Sequence, residues 1–240
     1  MSVRVEIAVQ DVAGLEAAAR AGADRMELSV DLRRDGLTPP VELVERCAHR
    51  LRALRDVQEA RAHASLHVLI RPEDSWGGEP ALMARQAAES VAAGADGVVI
   101  GALTDGDTRL DLPLLEQVRD AALTAAAQHL RGIDLTLHRC VDALPDAAAR
   151  EEAVRQALHL GAHRVLSSGG AVRALDGAAD LRRMVAAGEG LVEIMAGGGV
   201  RADHLATLVR TTGVEDVHLS AGEPLDIDRI RAAVREAGEL

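Results

Sequence analysis

A four-residue mark constrains this chain more than any other feature. Ala21-Gly22-Ala23-Asp24 recurs as Ala93-Gly94-Ala95-Asp96, and more loosely as Leu160-Gly161-Ala162-His163 and Thr212-Gly213-Val214-Glu215. Each copy closes a helical apolar pattern with glycine, the residue that most readily takes the left-handed helix stop, and a β-rich run follows. Reading outward from these joints gives eight strands: Val3–Val9, Arg25–Val30, Leu66–Arg71, Gly97–Gly101, Ile133–Arg139, Arg164–Ser168, Leu191–Met195 and Asp216–Ser220. Amphipathic helices are expected near 11–21, 40–60, 80–93, 112–130, 146–160, 176–187, 202–211 and 226–237. Alternation at a period of roughly 30 residues builds parallel βαβ units. Eight of them in 240 residues predict a single-domain (β/α)8 TIM barrel spanning 1–240. The alternative is a doubly wound open sheet. That fold would place a glycine-rich fingerprint after the first strand, where this chain reads Gln10-Asp11-Val12.

In a barrel, alternate residues of each strand face the helices and the axis. One parity is apolar throughout, from Val5, Ile7 and Val9 to Val217 and Leu219. The other places Glu6, Ala8, Glu27, Ser29, His67 and Arg71 on the axis, joined by Thr136, His138, Ser168, Glu193, Met195, His218 and Ser220. A structural barrel interior is filled with branched apolar side chains. Ionised groups are rarely buried unless paired, because desolvation is costly. Two readings follow: an internally satisfied polar network, or a functional pocket at the C-terminal strand ends, where barrel enzymes keep their sites. Three histidines and three glutamates on one axis favour the pocket. The stretch Leu135–Asp142, LTLHRCVD, carries the pattern most clearly, burying Leu135 and Leu137 on one face and offering His138 on the other.

The expected catalytic residues are Glu6, Glu27, His67, Arg71, His138 and Arg139. His138 or Glu27 would be the general base, and Arg71 and Arg139 would hold an anionic substrate. After the seventh strand, Gly197-Gly198-Gly199-Val200-Arg201 runs into a helix. Consecutive glycines let backbone N–H groups turn toward one point, and a helix N-terminus adds positive potential. Gly197, Gly198, Gly199, Arg201 and Ser220, with Ser168 from the second glycine-rich turn, are therefore expected to bind phosphate or carboxylate. The bland alternative is that these glycines only permit tight turns. Trp76 is either part of a lid over the mouth or loop packing. Cys47 and the histidines at 49, 63, 129, 159 and 163 read as packing or surface residues.

Composition removes several classes of function. A net charge of −11 opposes binding to nucleic acid or to an anionic membrane. No apolar run reaches the roughly 18 residues of a membrane span. The start, MSVRVEIAVQD, enters a strand directly without a secretory core, so a cytoplasmic location is expected. There is no Lys, Asn, Phe or Tyr, which excludes Schiff-base chemistry and any aromatic platform for single-stranded nucleic acid. Cys47 and Cys140 are distant and form no zinc-type pair.

In order along the chain, VEIAVQDVAGLEAAARAGADRMEL, DGLTPP, LHVLIRP, ADGVVIGALTDGD, LTLHRCVD, IMAGGGV and VHLSA resemble the CutC family of barrel-fold copper homeostasis proteins. The resemblance implies a cytoplasmic protein, often a homo-oligomer, linked to copper binding. Members often carry Cys after the first strand's Glu and at the end of the second strand, where this chain has Ala8 and Ser29. Cuprous copper prefers thiolate and thioether ligands, which leaves His138, Cys140 and Met195 as the implied copper site. His and Glu together suit zinc, manganese or cupric copper better. The other reading open to these residues is a barrel enzyme acting on a small phosphorylated or carboxylated substrate at the C-terminal mouth.

Overall fold

The computed structural model describes residues 3–104 and 106–240. Eight parallel strands close into a barrel in sequence order. They are β1 (Arg4–Val9), β2 (Arg25–Leu28), β3 (Ser65–Leu69), β4 (Gly97–Ile100), β5 (Asp134–Leu137), β6 (Arg164–Ser167), β7 (Glu193–Ala196) and β8 (Asp216–Ser220). The helices between and after them are α1 (Val12–Arg20), α2 (Val41–Asp56), α3 (Pro80–Ala92), α4 (Leu112–Gln128), α5 (Ala147–His159), α6 (Ala178–Gly188), α7 (Ala202–Thr212) and α8 (Ile227–Gly238). The predicted architecture is the observed one.

The repeated mark acts as a joint in the sense expected. Gly22, Gly94, Gly161 and Gly213 take φ of 90°, 110°, 69° and 78°, conformations that favour glycine. The residue two places later has a further use. Asp24 accepts from the backbone N–H of Val5 at 2.8 Å, and Asp96 accepts from that of Leu66 at 2.9 Å. His163 does the same for Leu135 through Nδ1 at 3.1 Å. Three copies of the mark thus end a helix and then bind the N–H of the second residue of the strand one place earlier in the barrel. At the other end of the units, acidic residues cap helices. Asp11, Glu79, Asp111, Asp146 and Asp226 each accept from an N–H of the first turn.

The apolar parity packs between barrel and helices. Ile7, Met26, Leu28, Leu66, Ile100 and Leu137 are fully buried there. With no Phe or Tyr, this layer is filled mainly by aliphatic and methionine side chains, joined by Cys47 and Cys140. Several strands are shorter than predicted. β5 stops at Leu137 because His138 turns to cap a five-residue 3-10 helix, Arg139–Ala143. β2 stops at Leu28, and Val30 pairs antiparallel with Leu37 to fold the rim loop back on itself. Leu191, placed in the seventh strand by its apolarity, is 63% exposed in the turn after α6, and β7 begins two residues later. Among the described residues, no helix is long and apolar enough to cross a membrane.

Candidate functional site at the barrel mouth

Six strands begin with a charged residue: Arg4, Arg25, Asp134, Arg164, Glu193 and Asp216. Their side chains interlock across the N-terminal floor of the barrel. Arg25, 4% exposed, binds Glu6 at 3.1 Å and also Asp216, while Arg4 reaches Asp216 at 2.7 Å and Glu193. Arg164 joins Asp134 at 3.0 Å to Glu193 at 3.5 Å. Met195 lies against this plug, with its Sδ 3.5 Å from Arg25. Most of these residues escaped sequence reading because strand-initial positions look like flanks. The available signal was a charged residue, of either sign, at the first position of six of the eight strands.

Two of the expected catalytic residues belong to this lower region. Glu6 is fully buried, with its oxygens on Arg25 and on His218 Nδ1 at 2.8 Å. Burial alone would raise its pKa, but the His218 hydrogen bond, Arg25 and the imidazole charges outweigh it and hold Glu6 well below the usual carboxylate range. His67 lies 3.8 Å from both Glu6 and Asp134, and burial lowers its pKa to about 4, so its ring is neutral. Gly97 on β4 makes room for it: a Cβ there would sit 2.8 Å from the imidazole.

Above the plug, a cavity of about 330 Å³ opens at the C-terminal strand ends. Of the predicted residues it gathers Glu27, Arg71, His138, Arg139, Gly198, Gly199 and Ser220. Ala8 and Ser29 also line it. Glu6, His67, Ser168, Gly197, Cys140, Met195 and Arg201 are not among its walls.

Glu27 faces His218 at 3.4 Å and makes no hydrogen bond among the described residues. Burial pushes its pKa up to about 7; His218 opposes the shift and the Glu6 carboxylate adds to it. For His218 itself, burial acts downward, yet the Glu6 hydrogen bond and the two carboxylate charges leave its pKa raised. The result is a mostly buried imidazole, open to the cavity, between two unequal carboxylates, one firmly ionised and one poised near neutrality.

His138 is 5% exposed. Its Nδ1 accepts from the Cys140 N–H at 3.1 Å, so the neutral ring carries its proton on Nε2. That atom is buried and, among the described residues, has no partner. Burial, then Arg71, lowers the pKa of His138 to about 3. Of the two residues expected as general base, Glu27 keeps an available carboxylate and His138 presents a donor. Gly101 is again the enabling residue, since a Cβ there would collide with the ring and with Cys140 Sγ.

The two arginines expected to hold substrate differ. Arg71 donates to the carbonyls of Ser75, Arg34 and Gly36 and to Asp74, and its guanidinium lies 5.0 Å from the Trp76 ring centre. It fastens the rim loops after β2 and β3. Trp76 in turn meets the His138 ring at 5.7 Å between centroids and lines the cavity. Arg139 binds Asp142 through Nε at 2.9 Å and Ser168 Oγ through Nη2 at 3.0 Å, leaving donors free toward the cavity.

The two glycine-rich turns also differ. The β6 turn is already filled by Asp142, which accepts from the N–H groups of Ser168 and Gly170 and from the hydroxyls of Ser167 and Ser168. Ser168 is therefore engaged with the chain's own carboxylate. In the β7 turn, Gly198 and Gly199 take φ of 95° and 65°, and the N–H groups of Gly198, Gly199 and Val200 have no backbone acceptor among the described residues. Ser220 Oγ accepts from the Gly222 N–H at 3.1 Å and keeps its own proton to donate. Arg229, on the first turn of α8, reaches the same cavity and was missed in the sequence, where it reads as an ordinary polar helix position.

The residues implied for copper do not form a thiolate site. Cys140 is fully buried with its thiol pKa raised by burial and by Asp142, and Met195 points at Arg25. Ala8 and Ser29 supply no sulfur. This donor set does not fit cuprous copper. Glu6, Glu27 and His218 do place one ligand atom each within 4.8 Å of one another, an oxygen-and-nitrogen set of the kind borderline divalent ions take.

The profile of the CutC family matches residues 3–223. A family protein named CutC from Agrobacterium fabrum is 38% identical over 220 residues, spanning 90% of this chain and 78% of that protein. One from Caulobacter vibrioides is 36% identical over 227 residues, spanning 93% and 83%. A crystal structure from Streptococcus agalactiae, described as a candidate copper homeostasis protein CutC, superposes with a TM-score of 0.76 at 24% identity, over 90% of this chain and 97% of that one. On profile, identity and length of match together, the chain belongs to the CutC family.

Proposed function

We propose that the mouth of the barrel binds a small phosphorylated or carboxylated molecule and moves a proton on it. The supporting observation is the Nε2–H of His138, buried on a cavity wall without an acceptor among the described residues, since such a donor is costly unless something completes it. In this reading the N–H groups of Gly198, Gly199 and Val200, the Ser220 hydroxyl and the guanidinium of Arg229 take the phosphate. Barrels commonly bind phosphate between the loops after strands seven and eight. Arg139 takes a carboxylate or hydroxyl. The His138 Nε2–H polarises a carbonyl oxygen, and Glu27 exchanges a proton at the adjacent carbon near neutral pH. Without Lys, stabilisation of the resulting enolate falls to His138 and Arg139.

The test is a thermal-shift screen of phosphorylated sugars and small organic acids. A compound of either class that raises the melting temperature of the wild type, and does so far less in Arg139→Gln, supports the reading. If neither class shifts the wild type, the reading fails.

A metal role is the second reading, favoured by the convergence of Glu6, Glu27 and His218. Copper, which the family description implies, would then bind as the cupric ion. Chelator competition would show uptake of Cu(II) or Zn(II) that is lost in Glu27→Gln, with no comparable uptake of Cu(I). A cytoplasmic location and a homo-oligomeric assembly, also implied by the family, belong to this proposal; light scattering of the purified chain tests the second.

A further inference from the structure

Behind the β7 turn lies a second cavity of about 310 Å³. Three arginines from three successive βα units converge on it: Arg173 after β6, Arg201 at the start of α7 and Arg229 on α8. In a chain of net charge −11, such a focus of positive charge runs against the overall composition. Its internal neutralisation is incomplete. Arg173 is matched by Asp176 at 2.7 and 2.9 Å, whereas among the described residues Arg201 has only Asp203 at 3.7 Å. Among the described residues no carboxylate lies within 4.0 Å of Arg229, and its Nε is buried without a partner. An anion entering beside these side chains would complete donors that Arg201 and Arg229 leave without a close carboxylate.

Gly199 and Arg229 line both this cavity and the mouth, so the two are contiguous. Arg173 packs its stem on Gly199, where a Cβ would come 3.3 Å from its Cγ. The glycine therefore forms a thin partition, with backbone donors for the mouth on one side and arginines on the other.

We infer that this side cavity holds a second anionic group of the same ligand, so that the substrate class is a small molecule carrying two phosphate-like groups. The inference rests on the mouth being a pocket for an anionic small molecule. It adds that one such group is not enough for full affinity. Arg173 and Arg201 belong to the second subsite alone, whereas Arg229 serves both.

Calorimetric titration of the full chain with inorganic phosphate, pyrophosphate and a pentose 1,5-bisphosphate separates the two claims. The bis-anions sample a short and a long span between the groups. At least one is expected to bind about tenfold or more tighter than phosphate. In an Arg173→Gln/Arg201→Gln variant that advantage falls to less than about threefold while phosphate affinity stays within about threefold of wild type. Both arginines are about two-thirds exposed, so the variant keeps its fold, which its melting temperature checks. If phosphate binds but neither bis-anion gains tenfold, or if the gain survives in the double variant, the second subsite is wrong and the mouth pocket stands. If none of the three binds, this inference is overturned together with the phosphate half of the mouth reading, and the carboxylate half is judged by the thermal-shift screen.

Discussion

The floor and the mouth of this barrel are built from the same residue types and use them in opposite ways. On the floor, Arg4, Arg25 and Arg164 alternate with Glu6, Asp134, Glu193 and Asp216, and each carboxylate meets at least one guanidinium. At the mouth, Glu27 has no hydrogen bond among the described residues and His138 Nε2 has no acceptor. A buried polar group whose partners are complete holds the fold in place, and one left short of partners is a cost retained for something else. The contrast is sharpest between Glu6 and Glu27. One is held ionised by His218 and Arg25, and the other is pushed by burial to about 7.

The largest expected effect comes from breaking the floor. Arg25→Met leaves Glu6 and Asp216 with one guanidinium fewer in a dry interior, and should cost about 3–5 kcal/mol of stability in urea denaturation. Next is the mouth's own internal anion. Asp142→Ala leaves the donors of the β6 turn unmatched and should cost about 2 kcal/mol. Added inorganic phosphate should recover part of that loss in the variant by occupying the vacated turn, and do so less in wild type.

Acid tests both regions together. His67 and His138 have folded pKa values depressed to about 4 and about 3, so folding favours their neutral forms. Their contribution is present above the ordinary histidine value of about 6.5 and is lost as pH falls toward those values, by about 1–2 kcal/mol each at pH 5. Because the raised pKa values of Glu27 and His218 act in the opposite direction over the same range, the readout is wild-type stability minus that of His138→Gln, which should fall by about 1–2 kcal/mol between pH 8 and pH 5. The smallest effect belongs to neither region. Arg155→Ala, which breaks an exposed pair with Glu152, should change stability by less than about 0.5 kcal/mol.

The fold was almost fully legible, because glycine at helix ends and two-residue alternation in strands are local signals that tertiary packing reinforces. The mouth was partly legible. Parity alone put Glu27, His138, His218 and Ser220 on the axis, but it could not order them in depth, so Glu6 and His67 were grouped with residues a layer above them. Arg71 shows a second limit, since its engagement by the carbonyls of Arg34, Gly36 and Ser75 depends on how two loops fold over it. Arg229 shows a third. Its position on the first turn of α8 acquires meaning only when α8 is set beside Gly199.

The most direct test of the contrast is the stability of Glu27→Gln and Glu6→Gln against wild type, in metal-free buffer, from pH 4.5 to pH 8. Because folding raises the pKa of Glu27, the favourable contribution of its protonated form is present below about 4.5 and is lost as pH rises through about 7. Glu27→Gln should therefore match wild type at pH 4.5 and exceed it at pH 8 by up to about 3 kcal/mol, while Glu6→Gln is less stable than wild type at pH 8. A Glu27→Gln protein less stable than wild type at pH 8 would mean that Glu27 is structurally paired as Glu6 is, and that the mouth is a continuation of the floor.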